Sequence, residues 1–361
     1  MIPTIAIICN YVLRDDRIGG MDYFFWAFDQ ACKTKGLALD WYFPNNSAHP
    51  NYKSLHIIPA LEQTLEQHFL DHTKRQQLSY SHVMTHFVGL CTPFYKAVKQ
   101  LHSTAVVIGV DHNPRPLEGY TIQKRIKKRL QGIIYGQYID QFVGVSNYTC
   151  HELVKDFGSS LKPKIKTIYN GIKVNSIRER GERSPQSAAR FLVVSHLRQS
   201  KGIQDLIKAV AQLPPEVKVK ISIDIYGEGP QELFLKDLTS KYDLTKQIVF
   251  KGSSDSIHRL YADYDYMIQP THMECFSLSI LESLAANVPV ITTPVGGNTE
   301  VIVHDENGWL FKAKDIDALT KLLASVLRGE LFITSLTRPL IERRFALEKM
   351  TEDYIELINM K

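Results

Sequence analysis

Glu274 and Glu282 bracket the run Cys275-Phe276-Ser277-Leu278-Ser279-Ile280-Leu281, and Thr271, His272 and Met273 precede it. The apolar spacing predicts a helix that starts within 276–279, with Glu274 in the loop before it and Glu282 on it. The first turn of such a helix offers unpaired amide N–H groups to an anion such as a diphosphate. Acids on either side of it accept hydrogen bonds from the hydroxyls of a sugar or a ribose. Carboxylates beside phosphates repel them unless a cation balances the site. Lys201, in Ser200-Lys201-Gly202, and Arg198, in the same loop, are cations of the right kind. They stand between a predicted strand and a predicted helix, where an ammonium and a bidentate guanidinium can hold phosphate. Two glycine signals also follow strands. Gly19-Gly20 opens a helix and lets backbone approach a ligand, while Gly227 and Gly229 in Tyr226-Gly227-Glu228-Gly229-Pro230 make a tight turn. Asp263-Tyr264-Asp265 has the spacing of a cation site but reads as a solvated helix end, so no metal and no cofactor are expected.

Strands and helices must position these groups. Residues 5–9, 41–43, 105–110 and 141–145 read as strands, with helices at 21–35, 122–138 and 147–157. The alternation restarts with strands at 190–195, 217–226, 248–250, 266–268 and 288–292 and helices at 203–212 and 231–242. Repeated βα units predict an α/β protein of two Rossmann-like domains facing a central cleft. The break falls in 170–186, a polar, charged stretch that reads as a linker. The expected division is 1–172, then 173–342, then a terminal helix in 343–361 that crosses back to the first domain.

Composition sets the outer bounds. An apolar share of 44% with 22% charged residues fits a folded protein and excludes a disordered chain. No apolar run is long enough to span a bilayer, and the N-terminus lacks a basic leader, so a cytoplasmic protein is expected. Five scattered cysteines give neither a disulfide frame nor a zinc site. A net charge of +5 suits a protein that handles phosphates but is too mild to argue for nucleic acid.

The segment from Glu274 to Glu282, followed by LAANVPVITTPVGGNTEVI and GWL, resembles the donor-site signature of the retaining glycosyltransferases of family four, which have the GT-B fold. SKGIQDLIKAV, YGEGP, VFKG, YNGI and VSNYTCHEL resemble further landmarks of that family, in the same order. The match is dense from residue 170 to 311 and looser before it. The resemblance implies a nucleoside-diphosphate sugar as donor substrate, with Lys201 on its phosphates, Glu282 on the ribose and Glu274 on the transferred sugar. The backbone at Phe276, Ser277, Leu278 and Ser279 would meet sugar and diphosphate. Gly19 and Gly20 would close over the diphosphate, and His112 would stand near the sugar. Where the family carries an arginine before the lysine this chain has Ser195 and His196, and Arg198 is the expected substitute. The implied function is transfer with retention to a glycan or lipid-linked acceptor in surface-polysaccharide assembly. An epimerase of the same architecture, or a non-catalytic nucleotide-sugar-binding scaffold, is the alternative.

The stretch 122–138 carries Lys124, Arg125, Lys127, Lys128 and Arg129, with Ile122, Ile126, Leu130, Ile133 and Ile134 at helical spacing. Such a helix is expected to pack its apolar face inward and to lay its cations either on an anionic membrane or in water, as the solvated face of a core helix. It lacks the interleaved aromatic residues of a nucleic-acid surface.

Overall fold

The computed structural model describes residues 4–16, 18–181 and 188–359. It comprises two units, one of Met1–Gly171 with Leu347–Lys361 and one of Ile172–Ala346.

The first unit is built on seven parallel strands: β1 (Thr4–Cys9), β2 (Ala38–Phe43), β3 (Ile57–Pro59), β4 (His82–His86), β5 (Val106–Asp111), β6 (Gln141–Gly144) and β7 (Ile165–Thr167). Their order in the sheet is β3-β2-β1-β4-β5-β6-β7. Helices cover the sheet, so the central strands are buried on both faces and read as near-continuous apolar runs. Ile7, Ile8, Val107 and Ile108 are all fully buried. The helix Gly20–Thr34 buries Phe24, Phe25 and Phe28. Two of those rings meet Tyr354 of the terminal helix Leu347–Asn359, at centroid distances of 5.0 Å and 5.9 Å. The helix expected in 343–361 is in fact two, because Phe345 ends the helix Arg338–Arg344 before the next begins; residues 360 and 361 lie outside the described residues.

The second unit holds six parallel strands: β8 (Ala189–Val194), β9 (Ile221–Tyr226), β10 (Ile248–Gly252), β11 (Tyr266–Gln269), β12 (Val290–Thr292) and β13 (Gly308–Leu310). Their order is β10-β9-β8-β11-β12-β13. The strand expected from residue 217 starts only at Ile221, because Pro214 and Pro215 favour the short helix Pro215–Lys218 instead. Part of the expected linker is also packed structure. Ile172, Val174 and Ile177 are buried, Arg178 pairs with Asp263, and Arg180 meets Asp265 at 2.6 Å. Residues 182–186 of that stretch lie outside the described residues. Asp265, read as a solvated helix end, is buried and also accepts the Arg190 N–H at 2.7 Å.

In both sheets the order of winding reverses once, between β1 and β4 and between β8 and β11. Open α/β sheets bind ligands outside the carboxyl ends of their strands at such a point.

The helix Ile122–Tyr135 corrects an expectation. Its apolar residues face solvent, with Ile122 74% and Ile133 65% exposed, and Gly132 is its one buried residue. A Cβ at Gly132 would stand 2.0 Å from the Phe157 carbonyl oxygen, so this helix touches the body by its backbone. Gly132→Ala should therefore push the helix outward and destabilise the first unit by about 1–3 kcal/mol. Urea unfolding followed by circular dichroism, with wild type in parallel, measures the loss.

Candidate active site

The loops that leave the carboxyl ends of β8 and β11 carry Lys201 and Glu274. Gly202 lies at φ +71, and a Cβ there would stand 1.8 Å from the Pro270 carbonyl oxygen. The two loops thus meet backbone to backbone, and only glycine fits both the conformation and the space. The His272 N–H donates to the Ser200 carbonyl at 2.8 Å. His272 Nε2 lies 2.6 Å from Asp205 Oδ2 on the helix Ile203–Ala211. With the loops so joined, Lys201 Nζ donates to Glu274 Oε2 at 2.8 Å, both side chains being partly buried. The other Glu274 oxygen accepts the Cys275 N–H at 3.1 Å. Gly296 backs this loop, since a Cβ there would stand 2.1 Å from the Glu274 carbonyl oxygen.

Gly227 and Gly229 serve the same close packing on the other side. A Cβ at Gly227 (φ +127) would stand 1.9 Å from the Ser195 carbonyl oxygen, and one at Gly229 would stand 2.5 Å from that of Leu197. Leu197 N–H donates to Glu228 O at 2.9 Å and Gln231 N–H to Leu197 O at 3.0 Å. The lysine loop is clamped by both neighbouring loops, with Arg198 exposed on it.

The helix after Glu274 runs Leu278–Ala285, and the Ser277 hydroxyl caps it by accepting the Ile280 N–H at 3.4 Å. Gln269, at the end of β11, donates to the hydroxyls of Ser277 at 2.6 Å and Ser279 at 3.1 Å. Phe276 is buried 5.4 Å from the Phe345 ring, which anchors the turn. Leu278 and Ser279 stay partly accessible. Glu282 accepts the Tyr261 hydroxyl at 2.7 Å. Its carboxyl is withdrawn from water although part of the residue remains accessible. Burial pushes its pKa up to about 7, and the Tyr261 hydrogen bond offsets only part of that rise.

In the first unit, Gly19 caps the helix Gly20–Thr34. Its N–H, expected to face an anion, donates to Asp22 Oδ2 at 2.7 Å, and Tyr11 donates to the same oxygen at 3.0 Å. Tyr52 donates to the other Asp22 oxygen. This buried carboxylate fixes the glycine loop and uses one of its amides. His112, after β5, is buried, with Nε2 3.0 Å from His86 Nδ1 and its ring stacked on Phe87 at 4.1 Å. Burial lowers its pKa to about 4 against the pull of Asp111. His112 is therefore a neutral imidazole near pH 7, able to exchange hydrogen bonds but not to act there as a cationic acid. Its loop is tied by Arg115, which pairs with Asp111 at 2.6 Å and Asp156 at 2.9 Å.

Four partners escaped the sequence reading: His86, Tyr261, Gln269 and the His272–Asp205 pair. His272 and Asp205 stood in runs already singled out, with no role assigned to either. The others become neighbours of the site through sheet pairing, which no local spacing records.

The family model described as "Glycosyl transferases group 1" matches residues 176–343. N-acetyl-alpha-D-glucosaminyl L-malate synthase of Bacillus anthracis is 26% identical over 350 residues, covering 89% of this chain and 86% of that protein. Anabaena Alr3699/HepE, solved in complex with UDP, superposes with a TM-score of 0.77 at 15% identity and 99% coverage of both chains. The lipopolysaccharide outer core galactosyltransferase WaaB in its apo form gives 0.75 at 16% identity, covering 98% of this chain and 99% of that one.

The raised Glu282 pKa makes stability pH-dependent. Its neutral form is the one the fold favours, so the contribution is complete below the ordinary value of 4.5 and lost as pH rises through about 7. Glu282→Gln, uncharged throughout, should match wild type at acid pH. By pH 8 it should be the more stable by up to about 3 kcal/mol. Thermal melts of the ligand-free protein across that range test it, and a flat difference would count against the assignment.

Proposed function

We propose, from the match of residues 176–343 to the model of the group 1 glycosyltransferases, that this chain moves a hexose from a nucleoside-diphosphate sugar to a glycan or lipid-linked acceptor, with retention at the anomeric carbon. The observation that carries the reading is the Lys201–Glu274 contact of 2.8 Å on the loops beside the start of the helix Leu278–Ala285. The relatives support it by their chemistry. One is solved with UDP, one is a lipopolysaccharide galactosyltransferase and one joins an N-acetylglucosaminyl group to malate.

Cleavage of the bond between the anomeric carbon and the phosphate oxygen builds negative charge on the leaving diphosphate and positive charge on the sugar. An ammonium has three donors and the bond to Glu274 uses one, so Lys201 can also hold the phosphates. The amides opening the helix at Phe276, Ser277, Leu278 and Ser279 add fixed partial positive charge. Arg198 is the second cation proposed for the phosphates. Glu274 accepts hydroxyls of the hexose and Glu282 those of the ribose. With these charges in place the reaction is proposed to need no divalent ion. In the retaining course the acceptor hydroxyl attacks from the face the phosphate leaves, and its proton passes to the departing phosphate oxygen. The roles of His112, Gly19 and Gly20, in the first unit, are proposed with this reading. Assembly of surface polysaccharide at the inner face of the cytoplasmic membrane is the setting that fits a lipid-linked acceptor and the cations Lys124, Arg125, Lys127, Lys128 and Arg129.

A panel of UDP-, GDP- and ADP-sugars, scored by thermal shift and by product formed with and without acceptor, tests the reading. One donor should raise the melting temperature and give acceptor-dependent, chelator-resistant product. Glu274→Ala should lower turnover by about 10²–10³ or more while the melting temperature stays within a few degrees. Product formed without acceptor would indicate an epimerase, and binding without turnover a scaffold.

A further inference from the structure

We infer that the helix Ile122–Tyr135 is an in-plane membrane anchor whose isoleucine ridge inserts into an anionic phospholipid bilayer. The inference rests on the transferase reading, since it says where a lipid-linked acceptor would be met.

At 3.6 residues per turn, Ile122, Ile126, Leu130, Ile133 and Ile134 occupy an arc of about 120°. Gly132, which touches the Phe157 backbone, lies roughly opposite. The ridge therefore points directly away from the body, and all five side chains are at least half exposed, from 50% at Ile134 to 74% at Ile122. Five large aliphatic groups in one outward row are not an accident of a loose surface helix. The helix is fixed: the Thr121 hydroxyl caps it, and Lys128 reaches Asp156 at 3.1 Å. A rigidly held apolar row in water is unfavourable unless something apolar covers it.

The charges identify the cover. The helix carries five cations and no acid. Lys124 and Lys128 lean over the Tyr120 ring, at 4.1 Å and 5.0 Å, on the body side. Arg125, Lys127 and Arg129 then flank the ridge. Ile122, Arg125, Ile126 and Arg129 with Lys155 line an open groove on one flank, where guanidinium groups and aliphatic carbons stand side by side. That pairing matches a lipid phosphate with its acyl chain beside it. A second copy of this chain would set cation against cation across the ridge. A nucleic acid would offer nothing to cover the isoleucines. No described helix is long and apolar enough to cross a membrane, so the contact lies in the interface plane.

Co-sedimentation with vesicles of phosphatidylcholine containing 30 mol% phosphatidylglycerol, against pure phosphatidylcholine, tests the inference with the full chain. Wild type should bind the anionic vesicles at least tenfold more tightly. Ile126→Ser/Ile133→Ser should lose at least tenfold of that binding, with its melting temperature and donor-induced thermal shift unchanged. Arg125→Gln/Arg129→Gln should lose the preference for the anionic lipid. No binding by wild type, or full binding by the double serine variant, would overturn insertion. So would a wild-type dimer in sedimentation equilibrium that the double serine variant breaks while wild type ignores vesicles. The donor-induced shift separates the two ideas. If it survives while vesicle binding is absent, the anchor is wrong and the transferase reading stands; vesicle binding without any donor shift has the opposite meaning.

Discussion

The hydrogen bond between Lys201 and Glu274 joins positions 73 apart in the chain, and it exists because β8 and β11 are neighbours in a parallel sheet. Parallel neighbours send their outgoing loops to the same edge, and the reversal of winding leaves no helix between these two. Adjacency alone would still leave the loops a side chain apart. Four glycines remove that spacing: at Gly202, Gly227, Gly229 and Gly296 an added Cβ would overlap a carbonyl of a neighbouring loop, at 1.8 to 2.5 Å. The loops stack through backbone, which brings a lysine and a glutamate into direct contact on the loops that leave β8 and β11, the second of which leads into the helix Leu278–Ala285. An alanine at Gly202 would separate the loops before it altered any charge.

Much of this was legible in the sequence, for identifiable reasons. Two parallel α/β halves follow from β-branched runs alternating with amphipathic stretches, and that expectation holds. The strand β4, His82-Val83-Met84-Thr85-His86, was missed because histidines at both ends hide its apolar centre. The short β3 and β7 offer too few residues to show a period. Lys201 and Glu274 were identified from their loops, but Tyr261 beside Glu282 and His86 beside His112 were not. Those contacts depend on which strands and turns are neighbours, and a linear spacing does not contain that.

The helix Ile122–Tyr135 shows a different limit. Its periodicity gave the apolar stripe correctly and its orientation wrongly, because a hydrophobic stripe states that it must be covered but not by what. The orientation was nonetheless written in one residue. Gly132 is the position on the opposite face where no side chain is tolerated, so that face is the one pressed on the body. A lone glycine opposite an apolar row, in a helix otherwise full of long side chains, is evidence that the row faces outward.

The charges of Glu274 and Glu282 are moderated by different routes, and the difference bears on their proposed work. Glu274 is paired with the Lys201 ammonium at 2.8 Å. Glu282 has no cation in contact among the described residues; burial raises its pKa to about 7, leaving it near half-neutral at that pH. A diphosphate arriving beside both would meet one balanced pair and one weakened charge, which is a far smaller repulsion than two free carboxylates would exert. In the proposed reaction Glu274, held in place by Lys201, would lie against the hexose as positive charge develops on it. Glu282, able to donate or accept, suits hydroxyls that stay neutral throughout. On the proposed roles, exchanging the environments would put the fuller charge at the ribose, where no bond changes, and the weakened one beside the hexose, where charge develops.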